Sequence, residues 1–336
     1  MRKYNIPIFV PHKGCPFDCV FCNQNRITGH TEVKDVTPDD VTQTIEQYLK
    51  TLPMENRAVE AAFFGGSFTG IPIDEQSALM ERVQPYIEAG QIDGIRLSTR
   101  PDYITREILD NLKRYHVSTI ELGVQSMEDS VLKAANRGHT AGQVRDAVKL
   151  IREYDFQLGL QMMTGLPGDT TQYSIRTAKQ LIALHPDCVR IYPTLTIKDT
   201  YLEKLYRAGK YLPQTLEEAV ELAKRLLLMF EEADINVIRV GLQPTEEINE
   251  GASVAAGPFH SAFRELVESS IYYDIAARQL HGIHNDCVLY VNPGEISKMS
   301  GHKRSNIIRI KKEFNINVKI KGDKTLKKRE VRCVCC

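Results

Sequence analysis

The chain has 336 residues, with 43 Lys or Arg balancing 43 Asp or Glu and an apolar fraction of 42 %. That length suits one barrel-sized domain plus a small appendage, and the lack of any apolar run near about 20 residues argues against a membrane span. The balance conceals a basic end, since residues 298–336 hold thirteen Lys or Arg and three Asp or Glu, which points to an anionic partner for that segment. Residues 6–10 are too short for a secretory h-region, so the chain reads as cytoplasmic and its eight cysteines as ligands or buried thiols rather than bridges.

Short β-branched runs alternate with helical patterns from the start. A strand over residues 6–11 delivers the loop Gly14-Cys-Pro-Phe-Asp-Cys-Val-Phe-Cys-Asn23. Thr37-Pro38-Asp39-Asp40 reads as an N-cap, a first-turn proline and two first-turn acids, opening a helix to about Leu49. Further strands are expected over residues 59–64, 94–98, 119–124, 157–163 and 188–193, each separated from the last by amphipathic helical sequence. This alternation predicts the α/β class with a parallel sheet and crossover helices, and six units suit a partial (β/α)6 barrel. Loops at the carboxyl ends of such strands carry chemistry. The cysteine loop, Gly65-Gly66-Ser67, Thr99-Arg100, Gln125-Ser126 and Gly165-Leu166-Pro167-Gly168 all fall on that one rim.

Cys15, Cys19 and Cys22 are spaced C-x3-C-x2-C. Three thiolates at three corners of a cubane cluster leave the fourth iron open to a substrate or cofactor. The alternative is a structural zinc site completed by His12 or His30, although no second C-x-x-C follows. An odd number of thiols without a leader disfavours a disulfide framework. The loop resembles that of radical S-adenosylmethionine (SAM) enzymes. The resemblance implies a 4Fe–4S cluster on the three cysteines, SAM chelating the open iron, an external electron donor, and reductive cleavage to a 5′-deoxyadenosyl radical.

On that reading Gly65 and Gly66 let the backbone approach the methionine amino group. Ser67 stands where many radical SAM enzymes carry an acid. Phe21 is placed to pack on adenine, and the turn at Gly165 to meet its other edge. Thr99, Arg100 and Gln125 complete the rim, and Arg137 is a candidate carboxylate clamp because a guanidinium matches a carboxylate bidentately. His139 is either a neighbour of that clamp or a helix cap. Tyr192 and His260 are candidates for positions near substrate.

Ser98-Thr-Arg-Pro-Asp-Tyr103, Glu121-Leu-Gly-Val-Gln-Ser126, Asn136-Arg-Gly-His-Thr140 and Arg190-Ile-Tyr-Pro-Thr-Leu195 together resemble the Elongator catalytic-subunit branch of the superfamily. Coproporphyrinogen III oxidases are more distantly similar. The Elongator resemblance implies modification of a wobble uridine in tRNA. It does not extend to that branch's acetyltransferase domain, since fewer than a hundred residues follow the barrel.

The expected organisation is a barrel over residues 1–245, a linker and closing helix over 246–285, and a basic extension over 286–336. Residues 251–260 are rich in small side chains and read as a loop on the barrel's open side. The extension reads as strand (287–291), helix (296–314) and strand (317–321), similar to half of a KH module. Gly301 is present there, and Arg304 replaces the second glycine of the G-x-x-G clamp. The terminal thiols Cys333, Cys335 and Cys336 read as uncommitted. The leading function is a radical SAM enzyme acting on RNA, of tRNA wobble-uridine type. The alternatives are a radical SAM enzyme acting on a small molecule such as a tetrapyrrole precursor, and a non-catalytic iron–sulfur RNA-binding protein.

Overall fold

The computed structural model describes residues 2–10, 19–22, 36–53, 55–242 and 253–335. These divide into two compact units, Met1–Gln214 with Met229–Phe259, and Thr215–Leu228 with His260–Cys336.

The first unit is built on a seven-stranded parallel sheet whose strands follow chain order. They are β1 (Arg2–Val10), β2 (Arg57–Gly65), β3 (Gly94–Thr99), β4 (Val117–Gln125), β5 (Gln157–Thr164) and β6 (Cys188–Pro193). After a two-residue strand β7 (Thr196–Ile197) outside this sheet comes β8 (Asn236–Val240). One strand more is present than the six that the sequence suggested. β8 is short and carries Arg239 among its apolar residues, so its strand pattern is weak. The central strands are buried on both faces, as parallel sheets require, yet in β4 the apolar Ile120, Leu122 and Val124 alternate with the equally buried Thr119, Glu121 and Gln125.

Crossover helices fill the gaps: α1 (Pro38–Leu49), α2 (Ile73–Glu81), α3 (Gln84–Glu88), α4 (Arg106–Arg114), α5 (Asp129–Ala134), α6 (Ala141–Ile151), α7 (Thr171–Ala183) and α8 (Tyr201–Arg207). A longer helix, α9 (Leu216–Glu232), follows. A single device starts many of them. Thr37, Thr105, Thr140, Thr170 and Thr200 each turn a side-chain oxygen onto an orphan N–H of the helix that follows.

The sheet is strongly curled. The Arg190 guanidinium on β6 lies 5.5 Å from the ring centroid of Phe64 on β2. Four steps of a flat sheet would set those strands about 19 Å apart. The face that carries Arg190 and Phe64 is therefore the concave interior of a partial barrel. Residues 251–260, expected as a loop, instead supply strand β9 (Val254–Ala256), which pairs antiparallel with β7.

The second unit packs α10 (Phe263–Leu280) with a three-stranded sheet ordered β11-β10-β12, made of β10 (Cys287–Val291), β11 (Val318–Gly322) and β12 (Val331–Cys335). β10 runs parallel to β11 and antiparallel to β12. Between β10 and β11 lie α11 (Ile296–Ser300) and α12 (Ser305–Phe314), so the order is the β-α-α-β of a KH-like module. The single helix expected over residues 296–314 is broken at Gly301. Its φ of +77° and ψ of 160° leave the helix, and Lys303 and Arg304 follow at φ +51° and +63°. A Cβ on Gly301 would collide with Ser305 Oγ and lie 2.8 Å from Asn306 N, so only glycine fits this turn. Tyr272, Leu289, Val291, Met299 and Ile310 form the core of the unit. Among the described residues, no helix is long and apolar enough to cross a membrane.

Candidate active site

The carboxyl ends of β1 to β5 bring most of the rim residues together. Of the cysteine loop, Cys15 lies outside the described residues, as do His12 and His30. Cys19 and Cys22 sit in one turn closed by Cys22 N–H donating to Cys19 O at 2.9 Å. Val20 fastens that turn twice, donating to Ala135 O at 3.1 Å and accepting from Leu202 N–H at 2.7 Å. Its side chain is buried with Val131, Ala135, Leu166, Leu202 and Tyr211, and Phe21 packs half-buried against the same cluster. The position of the turn is thus set by α5 and α8, which are remote in sequence.

Gly65 holds φ at +112°, and a Cβ there would meet Val10 O at 3.0 Å. This lets β2 end against β1, with Gly66 N–H donating to Val10 O at 2.8 Å. Ser67 is buried and spent on the scaffold. Its hydroxyl bonds Thr99 Oγ1 at 2.9 Å and accepts from Arg100 N–H at 3.2 Å, while Thr69 Oγ1 meets Thr99 Oγ1 at 2.5 Å. Ser67 and Thr99 therefore tie the end of β2 to the end of β3.

From Arg100 a chain of donors runs back to the cysteines. Arg100 grips Asp102 with two bonds, at 3.0 and 2.9 Å, and donates to Arg137 O at 2.6 Å. Arg137 in turn donates to Gly123 O at 2.7 Å and to Cys19 Sγ at 3.3 Å. Gly123 leaves the space required, since a Cβ there would lie 3.1 Å from Arg137 Nη2 and 3.0 Å from Gln125 Nε2. Gln125 itself sits at φ +66°, a strained setting for a long side chain, at a register shift between β4 and β5. Three buried atoms in this group have no hydrogen-bond partner among the described residues: Arg137 Nε, Gln125 Oε1 and His139 Nδ1.

His139 bonds Val124 O through Nε2 at 3.2 Å. Burial, then the nearby Arg137 and Arg100 guanidinia, push its pKa down to about 4, so the ring is neutral at pH 7. Its Nε2 carries the proton, and the unpartnered Nδ1 is an acceptor.

At the end of β5, Gly165 N–H donates to Asp169 Oδ2 at 2.8 Å and Gly165 O accepts from the Tyr211 hydroxyl at 2.7 Å. Burial pushes the Asp169 carboxyl up and the Tyr211 phenol well up.

Inside the barrel lies a charge network to which the sequence reading gave no role. Glu121, fully buried, accepts from Arg96 at 2.8 Å, from Arg190 Nη2 at 2.8 Å and from Gln161 at 3.0 Å. Arg96 also reaches Glu60 at 2.8 Å. A Cβ on Gly159 would stand 2.7 Å from Glu121 Cγ, so that glycine makes room for the carboxylate. Arg190 Nη1 donates to the Tyr192 hydroxyl at 3.4 Å, placing Tyr192 over this floor. The signal was in the sequence as charged residues interrupting strands that are otherwise apolar. His260, paired with Tyr192 in the sequence reading, belongs to the second unit, where its ring meets that of His302 edge-on at 5.1 Å.

Residues 9–181 match the radical SAM superfamily and residues 186–273 the radical SAM C-terminal domain. Elongator complex protein 3 of Homo sapiens is 28 % identical over 205 residues, 55 % of this chain and 37 % of that protein. A tRNA uridine(34) acetyltransferase of Methanocaldococcus infernus is 27 % identical over 183 residues, 48 % of this chain and 34 % of that protein. The chain thus spans little more than a third of either relative. The solved structure of archaeal Methanocaldococcus infernus Elp3, lacking its N-terminus, shares the fold with a TM-score of 0.64 at 21 % identity, covering 83 % of this chain and 63 % of that one. With its parallel half-barrel, its rim of cysteines and glycines, and a superfamily match over more than half its length, this chain is an enzyme of the radical SAM superfamily.

Proposed function

We propose that this enzyme holds a 4Fe–4S cluster through Cys15, Cys19 and Cys22, binds SAM beside it on the rim, and modifies RNA, most simply a tRNA uridine, in the cytoplasm. The observation that carries the reading is the Arg137 group. A guanidinium fixed by Gly123 O and set against Cys19 Sγ keeps Nε buried without a partner, beside the equally unpartnered Gln125 Oε1 and His139 Nδ1. Buried polar atoms are rarely left unmatched in a native protein, so a donor and two acceptors in one place call for a ligand bearing both kinds of group. The amino and carboxylate groups of SAM meet that demand, and soft thiolates suit iron–sulfur ligation.

When bound, the cluster and SAM supply a low-potential electron and a carbon radical; the electron comes from an external donor. The chain's own residues orient and enclose. Arg137 takes the carboxylate and Gln125 the amino group. Arg100 holds Arg137 through its backbone, Gly65 and Gly66 bring the backbone close, and Ser67 with Thr99 fixes the rim. Phe21 lines the adenine side, and the turn at Gly165, braced by Tyr211, closes it. Tyr192 presents its hydroxyl to substrate from the concave floor.

For RNA, the support is the second unit together with the relatives. Its Gly301 turn carries His302, Lys303 and Arg304 on strained backbone, the place where a KH-like fold meets nucleic acid. A relative bears the name tRNA uridine(34) acetyltransferase. The experiment is to reduce the anaerobic, cluster-loaded enzyme with SAM and quantify 5′-deoxyadenosine with and without bulk tRNA. A clear rise with tRNA is expected. SAM cleavage indifferent to tRNA would overturn the RNA assignment and leave a small-molecule substrate.

A further inference from the structure

We propose that Cys287 and Cys335 are a cross-strand disulfide site that ties the last strand of the second unit to its sheet under oxidation. The register of β10 against β12 sets Cys287 directly opposite Cys335. Antiparallel pairs come in two kinds, and hydrogen bonds identify this one. On β12, Cys333 N–H donates to Gln279 Oε1 at 3.0 Å and Val331 O accepts from the Gln279 amide, so both residues turn their peptide groups away from β10. Alternation by two places Cys335 in the same class. On β10, Cys287 N–H donates to Asn317 O at 3.1 Å, toward the β11 side. Cys287 and Cys335 therefore form a non-hydrogen-bonded pair, the kind whose Cα atoms approach to about 4.5 Å with side chains on one face. That spacing falls within the range of about 4.4–6.8 Å that a disulfide spans.

The neighbouring thiol is not an equivalent partner. Cys333 stands opposite Leu289. Exposure divides the roles, because Cys335 is open to solvent while Cys287 is 1 % exposed in the core. With a low-molecular-weight disulfide such as oxidised glutathione as oxidant, the Cys335 thiolate attacks one glutathione sulfur. This forms the mixed disulfide and releases one glutathione thiolate. The Cys287 thiolate, its proton lost to water, then attacks Cys335 Sγ and expels the second. Two protein thiols are oxidised and one glutathione disulfide is reduced to two thiols. The resulting ring spans β10 through β12 and so encloses the basic Gly301 turn and the loop carrying Lys324, Lys327 and Lys328.

The test uses the full-length protein, held anaerobically in glutathione buffers of stepped oxidised-to-reduced ratio, then alkylated, digested without reductant and sequenced by mass spectrometry. The expected product is the Cys287 peptide joined through Cys335, about 2 Da below the sum of its parts. It should persist in the Cys333→Ser/Cys336→Ser double variant and vanish in Cys335→Ser. In Cys287→Ser, Cys335 should instead accumulate as its glutathione adduct. Closure of so long a ring should raise the thermal midpoint of the second unit by roughly 5 °C or more. Cys287 remaining alkylatable at every ratio would overturn the proposal. So would linkage of Cys335 to another thiol, or a glutathione adduct on Cys335 that persists while Cys287 is intact.

Discussion

Replacing Glu121 with Gln removes one charge from the barrel floor and little volume. In the native enzyme that carboxylate, its side chain 1 % exposed, accepts from Arg96, Arg190 and Gln161. After the substitution Arg96 still has Glu60 at 2.8 Å. Arg190, with its side chain 11 % exposed, is left facing an amide and the Tyr192 hydroxyl. Removing one partner of a buried pair costs about 3–5 kcal/mol, because the other charge stays desolvated. With a urea slope near ~3 kcal/mol/M for a unit of this size, the midpoint should fall by about 1 M or more. Acid unfolding adds a second readout. Burial alone would raise the Glu121 carboxyl, but the Arg190 and Arg96 guanidinia outweigh it and hold the group below the ordinary 4.5. A carboxyl depressed on folding stabilises the native state above its unfolded pKa, and that contribution is lost as pH falls through the folded value. Wild-type stability should therefore drop below pH 4.5 with a component that Glu121→Gln lacks. Urea melts followed by far-ultraviolet circular dichroism, at pH 7 and across pH 3–5, measure both. A midpoint within a few tenths molar of wild type, with an unchanged acid profile, would refute this account of the floor.

His139 gives a test of the same sign at milder pH. Its folded pKa near 4 lies below the unfolded value near 6.5, so the unfolded chain binds a proton first and stability falls by up to about 3 kcal/mol between pH 6.5 and 4; His139→Gln should flatten that slope, and an undiminished slope would exclude His139 as its source. Arg137→Lys keeps a charge but not the planar fork that meets Gly123 O and Cys19 Sγ. Equilibrium dialysis of SAM should show affinity down about ten-fold or more, and unaltered affinity would remove Arg137 from the site. Reversing Lys303 and Arg304 to Glu should weaken tRNA binding in filter assays and lower the log–log salt slope by roughly 2; identical binding would detach the Gly301 turn from RNA.

Much of the fold was legible because each strand announces itself locally. The apolar runs that end at Gly65, Thr99 and Gln125 are strands bounded by turn chemistry, and Thr37 with Asp40 is a capping box readable from four residues. What escaped depends on contacts between distant segments. The break at Gly301 hides inside a continuous helical pattern, and it is forced by the close approach of Ser305 and Asn306. β8 is weak in sequence and is recruited by pairing with β6. At the site, the types of residue were readable, but the contacts that hold them in place were not. Ser67 stands where many radical SAM enzymes carry an acid, and its bonds to Thr99 and Arg100 join distant strand ends. Asp102 and Tyr211, to which the sequence alone assigns no role, fix Arg100 and Gly165. Periodicity reports which face a residue occupies, and only the curled sheet decides which faces meet.

The central claim is that three cysteines and the Arg137 group assemble a SAM-cleaving centre. Its most direct test is 5′-deoxyadenosine released by the reduced, iron- and sulfide-reconstituted enzyme, compared with a variant in which Cys15, Cys19 and Cys22 are all alanine. The account predicts turnover of SAM by the native chain, and loss of both iron and product in the variant. Product formation that survives loss of the three cysteines, or iron retained without them, would contradict it.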